Sequence, residues 1–271
     1  MYALSDCQAD VYYRENGDDE STIAAARAAA SSLGMTLPNG WDWSEMGMPG
    51  VETECFHFEL LAAYSPALVS LDFEIDSNCP SGRFFDQTNV VLHRMKNLSM
   101  TYNLDRRGFN LGHCRALLRC APNLENLTVW GCNGVAPGLA LARVRRLEFG
   151  NSYLDVGSLR NLVSACPLLE DFSYECKEHD FRELWGDEFL GFSLREAWRE
   201  LRPVRQTLQR LSLVFESTCH PDWDEAKHSG EAGSGDVEHL SSDPEYNEKS
   251  GFPKLTSYFV DCIEPELLEV M

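Results

Sequence analysis

The chain has 271 residues, 44% of them apolar, enough to bury one large core or two small ones and too apolar for a disordered protein. Lys and Arg number 23 against 43 Asp and Glu, a net charge of -20 whose field repels phosphate backbones and anionic bilayers, so neither nucleic acid nor a membrane is an expected partner. No run of about eighteen apolar residues occurs, no basic leader precedes an apolar stretch, and ten scattered cysteines without a CxxC pair read as free thiols of a reducing compartment, cytoplasmic or nuclear.

In chain order, the first expected element is an alanine-rich helix over 21–33, STIAAARAAASSL, which comes after the acidic turn GDDE and stops at Gly34. It lies in an N-terminal segment, 1–55, either as a cap on the larger C-terminal part of the chain or as a plain surface helix. From residue 56 a recurring frame takes over. Helix-spaced Leu60, Leu61 and Tyr64 lead into SPALVSLDF, where Leu68, Leu71 and Phe73 come after Pro66. RMKNLSM repeats the frame with Met95, Leu98 and Met100. A second helical run, Cys114, Leu117 and Leu118, ends at Ala121-Pro122 and gives way to Leu124, Leu127 and Val129. RVRRLEF offers Val144, Leu147 and Phe149. The run Leu159, Leu162, Val163 and Cys166 then ends at Pro167, ahead of Leu169, Phe172 and Tyr174. Leu194, Trp198 and Leu201 precede TLQRLSL, with Leu208, Leu211 and Leu213. Residues 216–251 hold ten acids against two lysines among Gly, Ser and Pro, and read as an acidic disordered insertion: a surface loop, or a peptide that docks on a basic partner. FPKLTSYFV closes the series with Leu255, Tyr258 and Val260.

The first frame positions are spaced 27, 29, 20, 25, 39 and 47 residues apart, and the first four intervals fall in the range of a leucine-rich repeat. Alternating apolar residues at the end of each frame predict a short strand with one face inward; stacked in parallel, such strands bury a continuous core that no single repeat could hide. In three repeats a proline marks the corner where a helix stops, because it has no backbone N–H to donate. LENLTVWGC fits Leu-x-x-Leu-x-Leu-x-x-Cys at Leu124, Leu127, Val129 and Cys132, and MKNLSMTYN fits the asparagine version with Asn103. On these residues the chain resembles leucine-rich repeats of the ribonuclease-inhibitor type, as in the repeat half of fungal F-box proteins, over residues 56–271. That resemblance implies an α/β fold, a curved solenoid with parallel strands on the concave face and helices on the convex face. It also suggests substrate recognition for an SCF-type ubiquitin ligase. No F-box is recognisable, since Leu37-Pro38-Asn39-Gly40 runs into the loop-like WDWSEMGMPG, so a Skp1-type adaptor is expected only where an F-box is supplied elsewhere.

Motifs of catalysis are missing: no GxSxG, HExxH, GxxxxGK[ST] or GxGxxG occurs, so no catalytic residue, cofactor or metal site is expected. A competing reading is thiol chemistry at Cys176 with His179, and another is a scaffold without a ligand surface. The fold itself offers the face between the apolar positions. It carries Ser70, Asp72, Glu74, Asn97, Ser99, Thr101, Asn126, Thr128, Trp130, Arg146, Glu148, Asp171, Ser173, Glu175, Arg210, Ser212, Ser257, Phe259 and Asp261. The sequon-like Asn97-Leu98-Ser99 and Asn126-Leu127-Thr128 fall in one register there, as repeat positions. Aromatics ringed by carboxylates are the composition of a protein-binding hot spot, which singles out Trp130 with Asp72, Glu74, Glu148, Asp171 and Glu175. Alternatively, Trp130 folds over a neighbouring repeat. Arg195, Arg199, Arg202 and Arg205 share one helical side and read as a solvated outer face.

Overall fold

A computed structural model of the protein describes residues 20–34, 60–75, 85, 89–102, 109–176, 191–216 and 252–263. Each frame from the sequence becomes a strand. β1 (Ser70–Ile75), β2 (Asn97–Tyr102), β4 (Asn126–Trp130), β6 (Arg146–Gly150), β7 (Asp171–Cys176), β8 (Arg210–Glu216) and β9 (Ser257–Ile263) form one wholly parallel seven-stranded sheet. Along that sheet the strands keep their order in the chain. β3 (Phe109–Asn110) and β5 (Cys132–Gly134) make a second, two-stranded parallel pair.

Entry into the strands of the seven-stranded sheet follows one local pattern, with a single variation. Leu68, Met95, Leu124, Val144, Leu169 and Leu255 each donate their N–H to the carbonyl three residues back; Leu208 reaches four back, to Val204. These are the first frame positions, so the turn that buries the leading apolar residue also aims the strand. One residue later the rungs lock together. The carbonyls of Val69, Lys96, Glu125, Arg145, Glu170 and Gln209 each accept two consecutive N–H groups from the next rung, at 2.7 to 3.3 Å.

With the starts aligned, the inward residues form ranks: Leu71, Leu98, Leu127, Leu147, Phe172, Leu211 and Tyr258, and above them Phe73, Met100, Val129, Phe149, Tyr174, Leu213 and Val260. From β2 to β8 these residues are at most 2% exposed. At the sheet ends Leu71, Phe73 and Val260 are only partly buried and Tyr258 is exposed.

Helices cover this apolar face. α1 (Glu20–Ser32) stands near the first rung: the Ser32 hydroxyl bonds the Tyr64 hydroxyl, which also donates to Ala29 O. α2 (Arg115–Cys120), α3 (Val156–Ala165) and α4 (Leu194–Leu201) place Leu117, Leu118, Leu159, Leu162, Val163, Trp198 and Leu201 in one core with the strands. Asp155 caps α3 by accepting from Ser158 N, and Ser193 with Glu196 closes a capping box on α4. The corners are as the prolines require: Ala121 and Cys166, each just before a proline, leave helical geometry at φ -112 and -118. Trp198 packs edge-on against Phe252, 5.0 Å between ring centres, joining α4 to the last rung.

One of the helix-spaced runs is only partly buried. Leu61 and Tyr64 are 70% and 51% exposed, although Leu60 beside them is buried: that helical turn, at 60–63, presents only one side to the core. Between β4 and β6, where the frame interval is shortest, the chain runs as β5 and an irregular stretch rather than a helix. Twenty residues leave no room for one, and Val135, Leu139 and Leu141 fill its place in the core. The insertion reading over 216–251 lies outside the described residues beyond Glu216, as do most of residues 1–55. No helix among the described residues is long and apolar enough to cross a membrane.

Phe149→Ala, which empties a fully buried position of a central strand, should cost about 3–5 kcal/mol, seen as a lowered urea midpoint at unchanged slope. A loss below about 1 kcal/mol would mean that this side of β6 does not face the core. Across α3 and α4, Arg160 donates from Nε and Nη2 to both oxygens of Glu200, at 2.9 and 3.0 Å, and this bond first of all holds the Glu200 carboxyl below its ordinary range. A depressed carboxylate contributes stability above its ordinary value and loses it as pH falls through the depressed one. Glu200→Gln should therefore be less stable than wild type at pH 7, with the two converging in acid; a difference constant with pH would exclude the ion pair as its source.

Candidate protein-binding face

Opposite the helices, the outward residues of the sheet lie open in three ranks. The lowest rank runs Ser70, Asn97, Asn126, Arg146, Asp171, Arg210 and Ser257; the middle one runs Asp72, Ser99, Thr128, Glu148, Ser173, Ser212 and Phe259. The upper rank holds Glu74, Thr101, Trp130 and Gly150, with Glu175 beside Val214 further along. Neighbours in a rank are about 4.8 Å apart across the sheet, and ranks about 7 Å apart along a strand.

The six residues singled out by sequence all lie on this face, divided into two groups. Asp72 and Glu74 stand exposed on the edge strand β1. Trp130, Glu148, Asp171 and Glu175 sit on the three adjacent central strands β4, β6 and β7. Asp72 and Glu148 share a rank but are three strands apart, about 14 Å.

Trp130 does fold onto the next rung. A Cβ built on Gly150 would fall 2.6 Å from Cδ2 and Cε3 of the indole, so the ring lies directly on the glycine that is its register partner. The indole is half-buried, one face on the sheet and the rest available. Gly131, with φ 76, turns the chain immediately after it, and Asn151, with φ 44, makes the matching turn after Gly150.

Behind that turn a polar network fixes the strand ends. Ser152 Oγ accepts from Cys132 N and donates to Gly150 O, while the Tyr174 hydroxyl donates to Ser152 O and accepts from Leu154 N. Cys132, the cysteine of the repeat pattern, is fully buried with its thiol directed at Gly134 O.

Sequence alone treats the carboxylates of this face as equivalent, and they are not. Arg210 donates from Nε and Nη2 to Asp171 Oδ2 at 3.0 and 2.7 Å, and the Asp171 carboxylate in turn holds that guanidinium above its ordinary value. Asp171 is thus engaged within the sheet. Among the described residues, Asp72, Glu74 and Glu148 make no such pair. Asn126 donates to Asn97 Oδ1 at 2.6 Å, so the two sequon-like asparagines are bonded to each other across β2 and β4.

Just below the lowest rank, charge alternates along the rim: Lys96 pairs with Glu125, and Arg145 with Glu170. The Lys96 ammonium, by hydrogen bonding, leads the effects that keep the Glu125 carboxyl below its ordinary value. On the helical side Arg195, Arg199, Arg202 and Arg205 are exposed, and Arg199 pairs with Glu196 and Glu200.

Cys176 is buried at the end of β7, and His179 lies outside the described residues. Burial pushes the Cys166 thiol far up, and Cys114, Cys120 and Cys132 are likewise buried. No family model matches the chain, and no curated protein matches it.

The Trp130 seat has a direct test. Gly150→Ala should lift the indole off the sheet: the Trp130 contribution to fluorescence, taken as the difference from the same protein carrying Trp130→Phe, should shift to the red and become easier to quench with acrylamide. An unchanged difference spectrum would mean that the ring does not rest on residue 150.

Proposed function

We propose that the chain is a non-catalytic protein-interaction module, a curved leucine-rich-repeat solenoid whose acidic concave face binds a partner protein in the cytoplasm or nucleus. The observation that carries this reading is the open rank structure of the parallel sheet. In-step strands present Trp130 with Glu148 and Glu175 on one continuous surface, and Asp72 and Glu74 extend it to the first rung. Half-buried aromatics beside carboxylates suit a hot spot, and rigid strands hold them without the ordering cost that a loop would impose. The engagement of Asp171 by Arg210 removes one carboxylate from the acidic set offered to a partner, which then centres on Asp72, Glu74 and Glu148. Substrate recognition for an SCF-type ubiquitin ligase is the specific form suggested by the sequence resemblance, with a Skp1-type adaptor joining through an F-box supplied elsewhere.

Affinity capture from native lysate tests the surface. Partners retained by the wild-type chain should be lost by a Trp130→Ala/Glu175→Lys variant and by Glu148→Lys/Glu175→Lys, while Arg195→Glu/Arg202→Glu on the helical side should retain them. Equal recovery of every partner by all four proteins would rule the face out. Absence of a Skp1-type adaptor from complexes of the full-length gene product would remove the ligase form and leave the module.

A further inference from the structure

Strand β6 crosses the middle of the open face and carries three different features at alternate positions. Arg146 is exposed. Its register neighbour Asp171 is already held by Arg210 from the other side, and among the described residues the Arg146 side chain makes no ion pair. Glu148, two residues on and on the same face, is also exposed and likewise unpaired among the described residues. At the next alternate position Gly150 has no side chain, and the indole of Trp130 lies over it. One strand thus presents a cation, an anion and an aromatic surface in a line, at intervals of about 7 Å.

Both flanks keep this line accessible. Thr128 and Ser173 beside Glu148 are short hydroxyls, and the larger Asn126 and Asp171 beside Arg146 are turned to partners on the strands beyond, Asn97 and Arg210. Arg146 and Glu148 form no ion pair with one another in the structure.

We infer that the open face takes an extended segment of a partner protein laid along β6, in which an acidic residue, a basic residue and an apolar residue occupy alternate positions, with the basic one in the middle. The inference rests on the proposed binding function of this face and gives it a sequence pattern. Its geometric basis is that an extended chain repeats its own side chains on one face at the same interval as β6. A carboxylate then meets Arg146, an ammonium or guanidinium meets Glu148, and an aliphatic side chain covers the free side of the indole. The chain's net charge of -20 alone favours a uniformly basic partner. The centre of the face asks for a mixed one. Because the aromatic stands at one end of the line, running the segment in either direction leaves the basic residue in the middle.

Two labelled twelve-residue peptides of identical composition test this, one centred on Glu-x-Lys-x-Leu and the other on Lys-x-Glu-x-Leu, titrated by fluorescence polarisation at low salt. The first should bind about tenfold more tightly, and exchanging the protein's charges by Arg146→Glu/Glu148→Arg should reverse the preference without changing the net charge. Circular dichroism and the urea midpoint check that the exchanged protein folds. Equal affinity for the two peptides, including binding of neither, overturns the inference, as does tighter binding of a third, all-lysine peptide. If the inference fails while partners are still lost by the Glu148→Lys/Glu175→Lys variant in the capture experiment, the face binds by a different pattern; if those partners are retained, the binding function itself fails.

Discussion

Six carbonyl oxygens hold the sheet in step. Those of Val69, Lys96, Glu125, Arg145, Glu170 and Gln209 each accept two successive N–H groups of the next rung, immediately before the strand begins. A strand that slipped by one residue would break this fork and turn every side chain to the opposite face, putting Leu127 in water and Thr128 in the core. The fork therefore converts a loosely spaced frame, with intervals from 20 to 47 residues, into strict ranks. Whatever length of chain separates two rungs, both begin from the same bonded point. Helices, an irregular stretch or a long connection can all serve between them, since loop length adds only slowly to the entropy of closure.

The same alignment decides the electrostatics. Residues at the forks face their counterparts across about 4.8 Å, where like charges would repel and opposite ones pair. Lys96, Glu125, Arg145 and Glu170 alternate in sign, so the rim neutralises itself. One step up, Arg210 consumes Asp171 and leaves Arg146 on its far side. Further along the strands, Asp72, Glu74 and Glu148 stay without an ion pair among the described residues. The face therefore grades along its strands from a balanced rim to an acidic upper edge. A partner meets a gradient in which position along the strand matters as much as total charge.

Reading these ranks from sequence worked where a residue's role depends only on its own frame. Buried period-2 pairs such as Leu127 and Val129, and corners such as Cys166-Pro167, need no knowledge of neighbours. What depended on two rungs at once was harder to see. Trp130 seats on Gly150 because the strand beside it lacks a side chain at one position, and nothing in TVWGC alone says so. The pairing of Asp171 had a visible signal: aligning the frames sets it between Arg146 and Arg210, and opposite charges at adjacent rank positions are expected to bond. The missing helix between β4 and β6 was also foreshadowed, since the interval from Leu124 to Val144 is the shortest of the series. The buried links of Ser152 and Tyr174 across three rungs could not be anticipated, because they arise from backbone groups freed at the turns after β4 and β6.

Rigidity along the sheet then bears on which of the exposed residues can carry specificity. The inward side chains of β4, β6 and β7 are sealed, while at the ends Leu71 and Phe73 are partly open and Tyr258 is 40% exposed. Fewer buried contacts mean easier local opening, so side chains on β1 and β9 are held less firmly than those on the central strands. A carboxylate contributes to recognition in proportion to how well its position is fixed before the partner arrives. Glu148, over the fully buried Leu147 and Phe149, and Trp130, over Val129, meet that condition; Asp72 and Glu74, beside half-open Leu71 and Phe73, meet it less well. Strength of binding should accordingly concentrate on β4 and β6, with the first rung contributing mainly long-range attraction.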